Sequence, residues 1–128
     1  MSPDRRRTLG ALGEQVAEEH LLGAGYRLIE RNFRTRSGEL DLILDSGRCL
    51  VFCEVKTRVA ETGGGPGGPL ASIGPNKQRR VRMMAREWLA TRSAGGRPSR
   101  PELRFDAIGV TLTRRGTVVS LEHLEAAF

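Results

Sequence analysis

Lysine is nearly absent from this chain: of its 21 basic residues, only Lys56 and Lys77 are not arginine. Cysteine is as scarce, and Cys49 and Cys53 lie four apart. On one strand their Cα atoms would stand about 13 Å apart, beyond the roughly 7 Å that a disulfide spans, so both are expected as buried thiols. His20 and His123 are remote from them in sequence, which leaves no zinc-ligand spacing. Nowhere do about 18 apolar residues run together, and no apolar signal region follows the arginine-rich start, so a cytoplasmic protein without a membrane partner is expected. Internal repeats are missing too. The glycine-rich stretch from Gly63 to Pro69 lacks the Gly-Lys-Ser or Gly-Lys-Thr of a Walker A loop. Its composition predicts a flexible loop over about 59–74.

What is present is positive charge. A net charge of +6 on 128 residues favours a polyanionic partner, nucleic acid first. The length suits one domain spanning 1–128.

Leu9, Leu12, Gly13, Val16, Ala17, His20 and Leu21 recur at helical spacing, predicting an amphipathic helix over 8–22 with Thr8 as its N-cap. Glu14 falls at the margin of its apolar face. Tyr26 to Phe33 reads as a strand. Pro75 opens a second helix whose buried stripe is Val81, Met84, Ala85, Trp88 and Leu89. Its outer positions, Lys77, Arg79, Arg80, Arg82 and Arg86, are read either as a solvated face or as phosphate contacts, with Arg34 and Arg36 adding to the latter. Leu103 to Leu112 and Thr117 to Leu121 read as two further strands around Arg115-Gly116, with Asp106 an exposed or salt-bridged strand residue. A connector, rich in Gly, Pro and Ser, covers 93–101.

The most informative stretch runs from Gly38 to Arg58. Two apolar runs flank Ser46-Gly47 and predict an antiparallel hairpin. With those two residues as the turn, Leu44 pairs with Cys49, Leu42 with Val51 and Leu40 with Cys53 on an apolar face. The other face pairs Asp45 with Arg48, Ile43 with Leu50, Asp41 with Phe52 and Glu39 with Glu54, with Lys56 one step beyond. Carboxylates on a half-buried strand cost free energy unless they are used or paired. A hard divalent cation such as Mg²⁺ (or Mn²⁺) takes oxygen ligands, and Asp41, Glu54 and the main-chain carbonyl of Val55 could supply them. Lys56, about 7 Å along the same face from Glu54, could assist an attacking water and offset charge at phosphorus. The plainer alternative is a set of cross-strand salt bridges at a sheet end.

Glu14, the run Gly38-Glu39-Leu40-Asp41-Leu42-Ile43 and the run Val51-Phe52-Cys53-Glu54-Val55-Lys56-Thr57-Arg58 together resemble the bacterial YraN-like family. Lys77-Gln78, Arg104-Phe105-Asp106 and the ending from Leu121 to Phe128 extend the likeness along nearly the whole chain. That family is similar to the restriction-endonuclease-like superfamily known as PD-(D/E)xK, and within it to archaeal Holliday junction resolvases; Leu40 stands where the superfamily name has proline. The resemblance implies an α/β fold with a mixed central sheet flanked by helices. It also implies metal-ligand roles for Asp41 and Glu54, a catalytic Lys56 and a helix-borne catalytic Glu14. The function expected is metal-dependent hydrolysis of DNA, at branched DNA and by a homodimer in one version. The alternative is a nucleic-acid-binding module that keeps the fold without turnover.

Overall fold

The computed structural model describes residues 1–60, 73–92 and 102–128; the glycine-rich loop and the 93–101 connector lie outside the described residues. Helix α1 spans Pro3–Gly23, strands β1, β2 and β3 span Arg27–Thr35, Gly38–Asp45 and Cys49–Val59, helix α2 spans Pro75–Arg92, and strands β4 and β5 span Glu102–Leu112 and Val118–Leu124. The sheet order is β1-β2-β3-β4-β5. β3 and β4 run parallel, the other neighbours antiparallel. A parallel pair needs a crossover, and α2 lies between the two strands in sequence. The expected mixed α/β sheet flanked by helices is therefore present.

The helices cover different side-chain clusters. α1 sets Leu9, Ala17 and Leu21 against Leu42, Leu44, Cys53, Val55, Ile108, Val110 and Leu112. α2 sets Val81, Met84, Ala85 and Trp88 against Leu40, Ile43, Leu50 and Phe52. α1 begins five residues before the expected start, because Ser2 accepts the Arg5 N–H and Pro3 occupies the first helical turn. Thr8 is inside the helix, its hydroxyl donating to the Asp4 carbonyl. β1 ends at Thr35 rather than Phe33, and β5 extends to Leu124 rather than Leu121.

The hairpin register differs from the expected one by two residues. The observed partners are Asp45 with Leu50, Leu44 with Val51, Ile43 with Phe52 and Leu42 with Cys53. Ser46 and Cys49 close the turn through the Ser46 N–H and the Cys49 carbonyl, 3.0 Å apart, so its central residues are Gly47-Arg48. Gly47 has φ +93°, and a two-residue hairpin turn with its first central residue at positive φ accepts glycine there. Asp45 further holds the turn by accepting the Gly47 N–H at 2.7 Å. A shift of two keeps the side chains from Leu42 to Asp45 on their expected faces, whereas a shift of one would have reversed them.

One residue breaks the alternation. Leu42 and Leu44 belong to the α1 cluster, as period two demands, but Leu40 joins Ile43 in the α2 cluster. The face therefore switches between Leu40 and Leu42, at Asp41, and the expected grouping of Leu40 with Leu42 and Cys53 is corrected. Regular β2–β3 pairing stops at Leu42 and Cys53. Beyond it, the Val55 N–H donates to a carboxylate oxygen of Asp41 at 2.8 Å.

Candidate metal and nucleic-acid site

Where β2 leaves β3, carboxylates from three elements meet. Gly13 is the reason α1 can deliver one of them: a Cβ at this position would overlap the Thr57 side chain on β3, so glycine lets the helix lie directly on the strand. The next residue, Glu14, is then carried down to the sheet end. Ligand oxygens of Glu14, Glu39 and Asp41 all lie within 4.8 Å of one another. Glu54, from β3, stands outside that trio but close enough for its charge to act on both Asp41 and Glu14.

The electrostatics follow from this crowding. Asp41 is 8 % exposed, and burial followed by the charge of Glu54 pushes its carboxyl up to about 8, against the Val55 hydrogen bond that favours the anion. Glu14 is likewise raised, by burial and then by Glu39 and Glu54. Glu54 is 3 % exposed; its Oε1 meets the Lys77 ammonium at 2.8 Å, while its Oε2 is buried with no hydrogen-bond partner among the described residues. Buried carboxylate oxygens without partners are costly. The donor set is all oxygen and rich in negative charge, which Arg34 on Glu39 and Lys77 on Glu54 offset only in part, and it fits a hard divalent cation such as Mg²⁺ or Mn²⁺. Glu14, Glu39 and Asp41 could hold such an ion, with the free oxygen of Glu54 beside them.

Each expected site residue has a definite place. Glu14 and Asp41 are in the trio, and Glu54 is beside it. Lys56, half-buried, sits two positions beyond Glu54 on β3. Val55, proposed as a carbonyl ligand, buries its side chain in the α1 cluster and gives its N–H to Asp41. Lys77, read as a solvated or phosphate-contacting position, pairs with Glu54. Arg34 pairs with Glu39 at 2.6 Å, and Arg36 is exposed in the tight β1–β2 connection. Arg79, Arg80 and Arg82 line a groove of about 530 Å³ with Ser37 and Arg86. The guanidinium of Arg82 lies 5.4 Å from the Phe105 ring centre, and the stem of Arg80 runs beside Gly38, directly before Glu39. Through Ser37 the basic groove reaches the chain segment that leads into Glu39.

Sequence reasoning missed two roles. Glu39 was placed on the acidic face but not among the ligands, because pairing it with Glu54 said nothing of its distance from α1. The signal for Lys77 was its position: a cation in the first turn of a helix that has no acid there opposes the helix dipole and needs a nearby anion. Asp106 is salt-bridged, one of the two expected readings, and it is fully buried. It accepts from Arg104 at 2.8 Å through both carboxylate oxygens, contacts His123 Nε2 at 2.8 Å and accepts the Ala126 N–H at 3.0 Å. This pins the C-terminal tail to β4. Both cysteines are free and buried.

A mixed five-stranded sheet between two helices, with acidic residues gathered where two strands part, is the arrangement of a restriction-endonuclease-like core. Residues 13–110 match the family described as Uncharacterised protein family UPF0102, and the chain belongs to that family. A Streptomyces griseus UPF0102 protein is 43 % identical over 120 residues, covering 92 % of this chain and 93 % of its own. A Geotalea uraniireducens member is 40 % identical over 129 residues, covering 99 % and 95 %. One from Frankia alni is 40 % identical over the full length of both chains. Among the described residues no helix is long and apolar enough to cross a membrane.

Proposed function

We propose that the chain is a Mg²⁺- or Mn²⁺-dependent endonuclease that hydrolyses DNA phosphodiester bonds, with branched DNA as its substrate class. The observation that carries this reading is the meeting of Glu14, Glu39 and Asp41 within 4.8 Å, beside an unpartnered buried oxygen of Glu54. Such a cluster is self-repelling without a cation and well satisfied with one. A divalent cation bound there would supply Lewis-acid polarisation of a phosphoryl oxygen and make a water more acidic. Asp41 is fixed for that purpose by the Val55 N–H. Lys56 carries a point charge next to Glu54 and offsets the negative charge that grows at phosphorus. Arg79, Arg80 and Arg86, which line the groove, and the exposed Arg36 next to Ser37 would bind the backbone. A four-way junction is two-fold symmetric, so a homodimer is the matching stoichiometry.

Purified protein incubated with linear, flapped and four-way DNA in Mg²⁺ or Mn²⁺ tests the reading. Cleavage is expected to depend on the metal and to vanish in Asp41→Ala, Glu54→Ala and Lys56→Ala. Full-rate cleavage by Asp41→Ala or Glu54→Ala would remove the proposed site. The Lys77–Glu54 ion pair favours one rival, a nucleic-acid-binding module in which the acidic end is held by salt bridges alone. That module would bind DNA with strong salt dependence, need no metal, and lose nothing in Lys56→Ala.

A further inference from the structure

Both lysines of an otherwise arginine-based chain are placed at the acidic end of the sheet. Lys77 has the less expected position. It lies in the first turn of α2, where a cation is disfavoured by the helix dipole and no acidic residue offsets it. Its side chain is nevertheless only 32 % exposed, because the ammonium reaches across to Glu54. A single ammonium on a compact stem satisfies one carboxylate oxygen. An arginine fork would cover both at once. The result is a buried glutamate with Oε1 paired at 2.8 Å and Oε2 free, next to a trio of carboxylates.

We propose that Lys77 is an exchangeable counter-ion: it holds Glu54 in the cation-free protein and releases it when a divalent cation enters the cluster. Its ammonium, on a flexible four-carbon stem next in sequence to Asn76 of the arginine groove, then becomes available to a substrate phosphate. Lys77 is thus a positioning residue acting through Glu54. The inference rests on the divalent-cation reading of the cluster, and it differs from a plain phosphate contact, which would leave metal binding untouched. It also differs from a fixed structural ion pair, whose loss would weaken any site built on it. Exchange predicts the opposite, because removing a competing positive charge beside a cation site strengthens cation binding.

The test is calorimetric titration of Mn²⁺ into the full chain without DNA at pH 8, for wild type, Lys77→Met, Lys77→Gln, Lys77→Arg and Glu54→Gln. Lys77→Met and Lys77→Gln should bind Mn²⁺ about 10-fold more tightly than wild type, and Lys77→Arg no more tightly. In EDTA, urea midpoints should fall for both neutral variants, and a double-mutant cycle with Glu54→Gln should give a non-zero coupling. Lys77→Gln, one atom shorter but polar, carries the test if Lys77→Met does not fold. Unchanged or weaker Mn²⁺ binding in the neutral variants overturns the exchange while leaving the metal site standing. Failure of wild type to take up Mn²⁺ overturns the metal site and the exchange together. A zero coupling in EDTA overturns the ion pair.

Discussion

Replacing Asp41 by Asn should make the metal-free protein less sensitive to alkaline pH. Asp41 carries a folded-state pKa of about 8 against an ordinary 3.8, because it is buried and faces Glu54. A carboxyl with a raised folded pKa keeps its proton longer in the native state than in the unfolded chain. Stability is therefore lost as pH rises from about 4, and the loss is complete only above about 8. Moving one carboxyl over that interval corresponds to at most ~6 kcal/mol. Water entry and side-chain relaxation should reduce the measured span to ~2 kcal/mol, still a large part of the 5–15 kcal/mol typical of a folded domain. Asparagine cannot ionise, yet its carbonyl can accept the Val55 N–H. Urea unfolding in EDTA between pH 5 and pH 9 should show wild type losing ~2 kcal/mol more than Asp41→Asn. Adding Mn²⁺ at pH 9 should restore wild type and leave the variant unchanged, since binding to the native state alone adds stability. Parallel pH profiles for the two proteins would refute the account of Asp41, and an equal Mn²⁺ effect on both would remove it as a ligand.

Other outcomes follow from the same geometry. Gly13→Ala should cost ~1–3 kcal/mol in urea unfolding by forcing a methyl into Thr57, as overpacked sites do; Thr57→Ser should relieve part of it, and a stability equal to wild type would refute the close approach. Asp106→Asn should cost ~3–5 kcal/mol near pH 7, because it leaves Arg104 without its buried anion. Burial alone would raise the Asp106 pKa, but Arg104, His123 and the Ala126 N–H outweigh it and lower it, so that contribution is present above about pH 4 and fades as pH falls through the folded pKa. A flat acid limb in the difference between wild type and Asp106→Asn would contradict this. If α2 carries DNA, replacing Arg79 and Arg80 together should reduce the slope of log affinity against log salt by about 2, measured by fluorescence anisotropy. An unchanged slope would move the DNA elsewhere.

Local periodicity carried much of the architecture. The apolar stripes of α1 and α2, the strands on either side of a glycine turn, and the opposite faces of Leu42 and Ile43 all follow from residue spacing, since helix and strand periods are backbone properties. Parity even survived a wrong turn: the shift from Ser46-Gly47 to Gly47-Arg48 moved the partners by two, and two is the period of the strand. The α1 boundary was harder, because Thr8 is as good a cap by type as Ser2, and only the hydrogen bond from Arg5 decides between them.

What the chain could not announce by spacing is the convergence of the acidic end. The face switch at Asp41 occurs where β2 and β3 part and side-chain contacts replace the ladder. The approach of Glu14 depends on a single missing methyl at Gly13, and the engagement of Lys77 depends on where α2 returns after its crossover. The sequence by itself determined the elements, their buried faces and the kinds of groups at the candidate site. Only the tertiary structure decided that Glu39 joins Glu14 and Asp41, and that Glu54 is shared with a lysine. Those pairings are set by packing between segments far apart in the chain, for which local residue patterns carry no distance.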